Sequence, residues 1–272
     1  MDNVVFFSGG VSSALTALYV KKCIPGRLFL LFTDTLTEDE DLYRFLDESI
    51  DAIKPDGVTH ITTGMNVWDA YYKAKYLGNS RIDPCSRMLK REPAKKWIEE
   101  RYLPENTTLF FGIHWSEEER LSAIKDNWRP YAVRSPMCEF ESMYIAGNEI
   151  KDIWLRLTNV RIPRLYDMGF THNNCGGFCC KAGKTHFRRL LEQLPDRYNY
   201  HAQKEIEIRR IVGNRTILRE QKNGRKFMLS LEEFAKREKS QDETECISCQ
   251  CFGWFSTPEQ HFMGEDTCIQ FR

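Results

Sequence analysis

The sequence predicts an α/β protein built on a parallel sheet, and three observations point that way. Short apolar runs of strand length alternate with longer stretches of helical spacing through the first half of the chain. The first of these runs ends in a glycine pair that opens directly into a helical stretch. The composition, 42% apolar and 29% charged over 272 residues, is ordinary for a folded chain able to bury a sizeable core.

Residues 4–7 form the first apolar run, and Gly9 and Gly10 follow it closely. Residues 13–22 then take helical spacing through Leu15, Leu18 and Tyr19, and residues 28–32 read as a second buried strand. Residues 38–53 read as an acidic-fronted helix with Leu42, Phe45, Leu46 and Ile50 on one face. Further strands are expected at 58–61 and 109–111, and a helix at 92–100 with Pro93 in its first turn. The second half is less regular. Residues 135–147 read as a loop, 188–194 and 198–210 as helices, and 216–229 as a hairpin turning at Asn223-Gly224. The expected organisation is one α/β domain over 1–185 and a helical and hairpin extension over 186–272 that ends in a cysteine-rich stretch.

Lys plus Arg and Asp plus Glu each number 39, so the formal net charge is zero. No global field attracts a polyanion, and contact with a nucleic acid would rest on local patches such as Arg156, Arg161, Arg164, Arg188, Arg189, Arg209 and Arg210. A solvated helix face explains those arginines equally well. No apolar run approaches the roughly 20 residues that span a bilayer. Residues 1–7 carry no basic leader, so a cytoplasmic enzyme with no membrane segment is expected.

The stretch Ser8-Gly9-Gly10-Val11-Ser12-Ser13 has a clear physical use. Glycines let the backbone come close to phosphates and adopt positive φ. Amide groups and the start of a helix then face the anion, and Ser8, Ser12 and Ser13 add hydroxyls. The bland alternative is a plain strand-to-helix turn with capping serines. It is not a Walker A loop: Gly183-Lys184-Thr185 comes near, but the required first glycine is Phe178.

Ten cysteines is a high count, and they cluster. Cys175, Cys179 and Cys180 form one group; Cys246, Cys249 and Cys251 form another. In a reducing compartment such groups read as metal ligands more readily than as disulfides. Four thiolates drawn from Cys175, Cys179, Cys246, Cys249 and Cys251 would hold Zn²⁺ or a [4Fe–4S] cluster, with Cys180 extra and Cys85 as an outlying possibility. The spacing does not choose between the two metals, and buried, unliganded cysteine is the alternative.

Ser8 to Ser13 resembles the loop of the PP-loop ATP pyrophosphatases, the adenine nucleotide α-hydrolases, whose fold is Rossmann-like (HUP-like). Four further stretches resemble the branch that holds phosphoadenosine phosphosulfate reductases and DndC-like DNA phosphorothioation enzymes. They are Phe32-Thr33-Asp34-Thr35 with Glu38 and Asp39; Cys85-Ser86-Arg87-Met88-Leu89-Lys90 with Pro93; Phe111-Gly112-Ile113-His114 with Glu117, Glu118 and Arg120; and the block from Gly169 to Cys179. Together they span about two thirds of the chain in the family's order. The chain departs from the pattern at Ser12, where the loop usually has Asp, at His114, where an arginine is usual, and in its C-terminal tail.

The resemblance implies ATP, or an adenylyl-sulfate type nucleotide, bound through Ser8, Gly9, Gly10, Val11, Ser12, Ser13, Thr33, Asp34 and Gly112. It implies Mg²⁺ with the nucleotide, and Arg87, Lys90 and Arg120 as cationic groups at the reacting centre. It favours the iron–sulfur cluster over zinc. It also implies a sulfur donor or thiol reductant as partner, and a nucleotide or nucleic acid as acceptor. His172 is a minor candidate for a ligand or an acid/base group.

Overall fold

The computed structural model describes residues 1–79 and 81–245. In chain order the elements are β1 (Asp2–Phe6), α1 (Val11–Cys23), β2 (Arg27–Asp34), α2 (Glu40–Ile53), β3 (Gly57–Thr62), α3 (Val67–Ala74), α4 (Glu92–Arg101), β4 (Thr107–Phe111), α5 (Glu119–Asn127), β5 (Ala132–Arg134), α6 (Pro136–Glu139), α7 (Ile150–Thr158), α8 (Arg164–Asp167), α9 (Lys184–Gln193), α10 (Pro195–Val212), β6 (Leu218–Lys222), β7 (Arg225–Leu229) and α11 (Leu231–Glu245). The described residues divide into two compact units, one taking Met1–Val67 and Ser86–Gly177, the other Trp68–Cys85 and residues 178–245.

In the first unit, β1 to β5 make one sheet in the order β3-β2-β1-β4-β5, every pairing parallel. Successive strand residues point to opposite faces, so both faces need cover. Val5, Leu30, Phe32 and Phe110 face one way and pack with Leu15 and Leu18 of α1, Phe45 of α2 and Trp154 of α7. Their neighbours Val4, Leu31 and Leu109 face the other way, against Ala94 and Ile98 of α4 and Leu121 of α5. The strands therefore carry continuous apolar runs, which is the signal that predicts them. Because β2 lies on one side of β1 and β4 on the other, the chain changes winding direction at β1, and the loops after β1 and β4 flank the crevice at that point.

Residues 135–147, read from sequence as a loop, hold the single-turn helix α6 and a 3₁₀ turn at Glu141–Met143. Pro136 starts the first of these, and Met137, Met143 and Ile145 are buried. Elements of three or four residues are too short to display a period. In the second unit, α9, α10 and α11 pack against one another, and Trp68, Phe178, Phe187, Tyr198 and Phe234 fill the interior. The expected hairpin forms as β6 and β7, paired antiparallel and turning on Asn223 (φ 49°) and Gly224 (φ 74°).

Candidate functional site

The loop between β1 and α1 is held mainly by its own groups. Ser13 Oγ donates to the Gly10 carbonyl at 2.7 Å and accepts from the Ser8 amide at 3.2 Å. The Ser8 hydroxyl donates to that same oxygen, also at 3.2 Å. Gly9 takes φ +77° over the Leu42 side chain. Ser13 is buried and its hydroxyl is used within the loop, so the hydroxyls left nearest the solvent are those of exposed Ser8 and half-buried Ser12. Gly10 is the N-cap of α1 and supplies no side-chain cap, so the positive end of the helix is not closed by its own sequence. The Tyr166 hydroxyl lies against the Val11 amide there; burial raises the phenol's pKa, and the amide works the other way.

Gly112, the first residue after β4, meets this loop across the crevice. A Cβ at Gly112 would stand 2.7 Å from both the Ser13 nitrogen and its Cα, so only glycine lets the end of β4 approach the first turn of α1 this closely. From behind, the buried Asn173 reaches the Gly9 carbonyl through Nδ2 at 3.5 Å. Its Oδ1 finds no partner among the described residues.

At the end of β2, Asp34 accepts from the Leu36 amide at 2.7 Å, and from the Tyr43 hydroxyl at 2.9 and 3.1 Å. Burial, and then Asp34, hold the Tyr43 phenol well above its usual pKa. Asp34 is thus a turn-forming carboxylate, set by a tyrosine from α2. Next to it, the Glu38 side chain is 1% exposed and joins three segments. It accepts from the Thr35 hydroxyl at 3.0 Å, from the Lys90 ammonium at 3.3 Å and from the Cys175 amide at 2.6 Å. Cys175 stands at φ 50°, a left-handed conformation that costs a residue with a Cβ about 1–2 kcal/mol. The charge-assisted bond to Glu38 offsets that cost. Asp39 caps α2 through the Asp41 amide and grips Arg164 with both oxygens, at 2.8 and 3.0 Å.

A family model for the phosphoadenosine phosphosulfate reductase domain matches residues 2–182. The chain belongs to that family. With it the chain falls in the PP-loop, adenine nucleotide alpha-hydrolase-like superfamily. An uncharacterised protein of Methanocaldococcus jannaschii is 28% identical over 189 residues, which are 66% of this chain and 36% of that protein. The chain thus spans well under half the length of the curated relative it matches. A crystal structure of phosphoadenylyl-sulfate reductase from Candida auris, in complex with phosphate, aligns with a TM-score of 0.43 and 17% identity, over 62% of this chain and 78% of that one.

The residues that the family resemblance singles out are distributed unevenly. Ser8 to Ser13, Thr33, Asp34 and Gly112 share the C-terminal edge of three adjacent strands, and Lys90 is drawn toward the end of β2 by Glu38. Lys90 and Arg87 lie on a π-helical turn, Ser86–Arg91, that runs straight into α4. Such wide turns often occur at functional sites. Arg87 pairs with Glu92 at 3.6 Å and Arg120 with Glu117 at 2.7 Å, both on the surface. His114, which stands where the family has arginine, serves the backbone. Its Nδ1 accepts from the Ser116 amide, which leaves Nε2–H to donate to the Ile145 carbonyl at 2.8 Å. Of the basic residues considered for nucleic acid, Arg164 pairs with Asp39 and Arg188 with Glu238.

Cys175 belongs to the first unit and Cys179 to the second. Cys246, Cys249 and Cys251 lie outside the described residues. Among the described residues no three His, Cys, Asp or Glu side chains converge as metal ligands, so these residues alone do not assemble a four-ligand metal site. No helix among them is long and apolar enough to cross a membrane. Sequence reasoning missed Glu38 as a junction, Asn173 as a support for the loop, and a thiol pair described below. Each depends on partners far away in the chain.

Proposed function

We propose that this chain is an adenine-nucleotide-dependent enzyme that adenylylates an acceptor and prepares it for sulfur insertion, releasing pyrophosphate. One observation carries this reading: the start of α1, which its own N-cap Gly10 leaves without a side-chain cap and Ser8 and Ser12 flank, stands at the crevice where the sheet changes winding direction. That is where an α/β sheet receives phosphates. ATP would enter as its Mg²⁺ complex with its phosphates over Gly9 to Ser13, and Thr33 and Asp34 beside the nucleoside. An acceptor oxygen on a nucleotide or nucleic acid attacks the α-phosphorus, and pyrophosphate leaves with the bonding electron pair. A sulfur nucleophile then displaces AMP from the adenylylated acceptor. The loop positions the chain of phosphates and stabilises the charge that builds on pyrophosphate. Lys90, oriented by Glu38, is the cation placed best to assist, and Arg87 and Arg120 reach the phosphates by leaving surface ion pairs worth little.

The family match favours a second reading, reductive cleavage of an adenylyl-sulfate, with a thiol as nucleophile and a thiol reductant. A nucleotide-binding role without turnover is the third. A [4Fe–4S] cluster, or Zn²⁺, on thiolates drawn from Cys175, Cys179, Cys246, Cys249 and Cys251 stays a proposal alongside, and no step above depends on it. The test incubates the full chain with MgATP and candidate acceptors, and separately with adenylyl-sulfates. Pyrophosphate released in step with acceptor supports adenylylation. Sulfite released from the sulfonucleotide overturns it in favour of reduction. Tight ATP binding with neither product leaves a binding protein. Iron, sulfide and zinc analysis of protein purified without oxygen decides the metal proposal.

A further inference from the structure

Within the second unit, two cysteines that stand 95 positions apart in the chain meet side by side. Cys85 Sγ lies 4.0 Å from Cys180 Sγ. The Tyr71 hydroxyl is 3.5 Å from Cys85 Sγ, and Tyr71 itself is fully buried. Burial, with Cys180 and Cys85 beside it, holds the phenol well above its usual pKa. Gly78 makes the room: a Cβ there would lie 2.8 Å from the Tyr71 oxygen and 2.9 Å from Cys180 Sγ. On the outer side Asp83 and Lys181 pair at 3.4 Å, holding the two cysteine-bearing segments together. The two thiols differ in access, since Cys85 is half-buried and Cys180 is buried.

We propose that Cys85 and Cys180 are a redox-active dithiol that exchanges two electrons with a disulfide or dithiol carrier. Sulfur atoms at 4.0 Å need about 2 Å of approach to bond, which side-chain rotation supplies. The thiolate of Cys85, the accessible member, attacks one sulfur of a carrier disulfide, and the first carrier thiolate leaves. Cys180 gives up its proton and attacks the Cys85 sulfur of the mixed disulfide, and the second carrier thiolate leaves. The balance is two protein thiols and one carrier disulfide giving one protein disulfide and two carrier thiols. Run in reverse, a reduced carrier restores the dithiol. The proposal does not depend on the nucleotide reading, because it concerns thiol chemistry measurable without any nucleotide.

The experiment equilibrates the full chain without oxygen in glutathione buffers of set ratio, traps remaining thiols by alkylation and maps the cross-links by mass spectrometry. The expected result is a peptide joining Cys85 to Cys180, its ratio to the reduced form shifting tenfold for each ~30 mV of ambient potential, the two-electron slope. Cys180→Ala should trap glutathione on Cys85, whereas Cys179→Ser should leave the cross-link intact. The wild-type map needs no variant to fold. The proposal is overturned by Cys85 joined to Cys175 or Cys179, by both thiols alkylated at every potential, or by protein that holds iron or zinc and protects Cys85 until the metal is removed.

Discussion

Glu38 and Glu205 are both buried carboxylates, yet they do opposite work. Glu38 holds a hydroxyl, an ammonium and an amide from three segments, just beyond the end of β2. Glu205, fully buried in the second unit, spends its two oxygens on the amides of Ile217 and Leu231, at 2.9 and 2.7 Å. One carboxylate orients groups that chemistry can use. The other fastens a hairpin and the start of α11 to α10. The interior around Glu205 follows the same inward rule. His201 Nδ1 accepts from the buried Trp68 indole at 2.9 Å, and its ring stacks on Phe178 at 3.7 Å. A buried polar group whose partners are all backbone or core is a fastening. One that faces a cation and a strained turn is a candidate for tuning a site.

The largest expected effect tests the fastening. Glu205→Leu leaves two buried amides without acceptors, at about 1–3 kcal/mol each. We expect denaturant unfolding of the second unit to lose roughly 2–6 kcal/mol, with ATP affinity unchanged. A parallel fall in affinity would erase the distinction between the two carboxylates. Burial raises the Glu205 carboxyl pKa despite the two amides. The folded state therefore favours its protonated form. That contribution is present below the unfolded value and is lost as pH rises through the folded one. Glu205→Gln should remove this pH dependence while keeping one acceptor.

His201 gives the opposite slope. Burial, and then Arg197, lower its pKa from 6.5 to about 3. Folding thus requires the neutral ring. Stability is complete above 6.5 and declines as pH falls toward about 3, with a slope approaching about 1.4 kcal/mol per pH unit. Chemical denaturation at pH 7 and pH 5 measures it, and His201→Phe should flatten the difference. An unchanged slope in that variant would place the titration elsewhere.

Gly112→Ala probes the edge proposed to receive the nucleotide. The new methyl meets the Ser13 backbone, and overpacking of this kind costs about 1–3 kcal/mol. We expect ATP affinity to fall at least about tenfold, because the start of α1 must move (a factor of ten is about 1.4 kcal/mol). Calorimetric titration checks this, and wild-type affinity would remove the β4 edge from the site.

The sheet and its loop were legible because their signals are local. The apolar runs of β1 and β2, the glycines and the helix start lie within a few residues of one another. The helix at 150–158 went unread although it buries Ile150, Ile153 and Trp154, since a short helix presents only about two turns of pattern. The helical stretch around Glu205 was legible as a helix, but nothing local marks a carboxylate whose amides come from residues 217 and 231. The pairings of Glu38 with Lys90 and Cys175 cross 52 and 137 positions. Sequence identified Lys90 and Cys175 as candidates, while the residue that joins them was read only as part of a motif.

The smallest expected effect on stability decides whether Glu38 is more than a fastening. Glu38→Gln keeps the shape and an acceptor for the Cys175 amide but removes the charge facing Lys90. We expect a stability loss of about 1 kcal/mol, the scale of one hydrogen bond. We also expect an ATP affinity weakened about tenfold, since Lys90 is no longer aimed by a carboxylate. Glu38→Ala should in addition speed alkylation of Cys175, because the left-handed turn loses the acceptor that holds it. A double-mutant cycle with Lys90→Met separates the two roles. If Glu38 acts through Lys90, the losses in affinity will fail to add by about 0.5–3 kcal/mol. Additive losses, with Cys175 reactivity unmoved, would make Glu38 the counterpart of Glu205 after all.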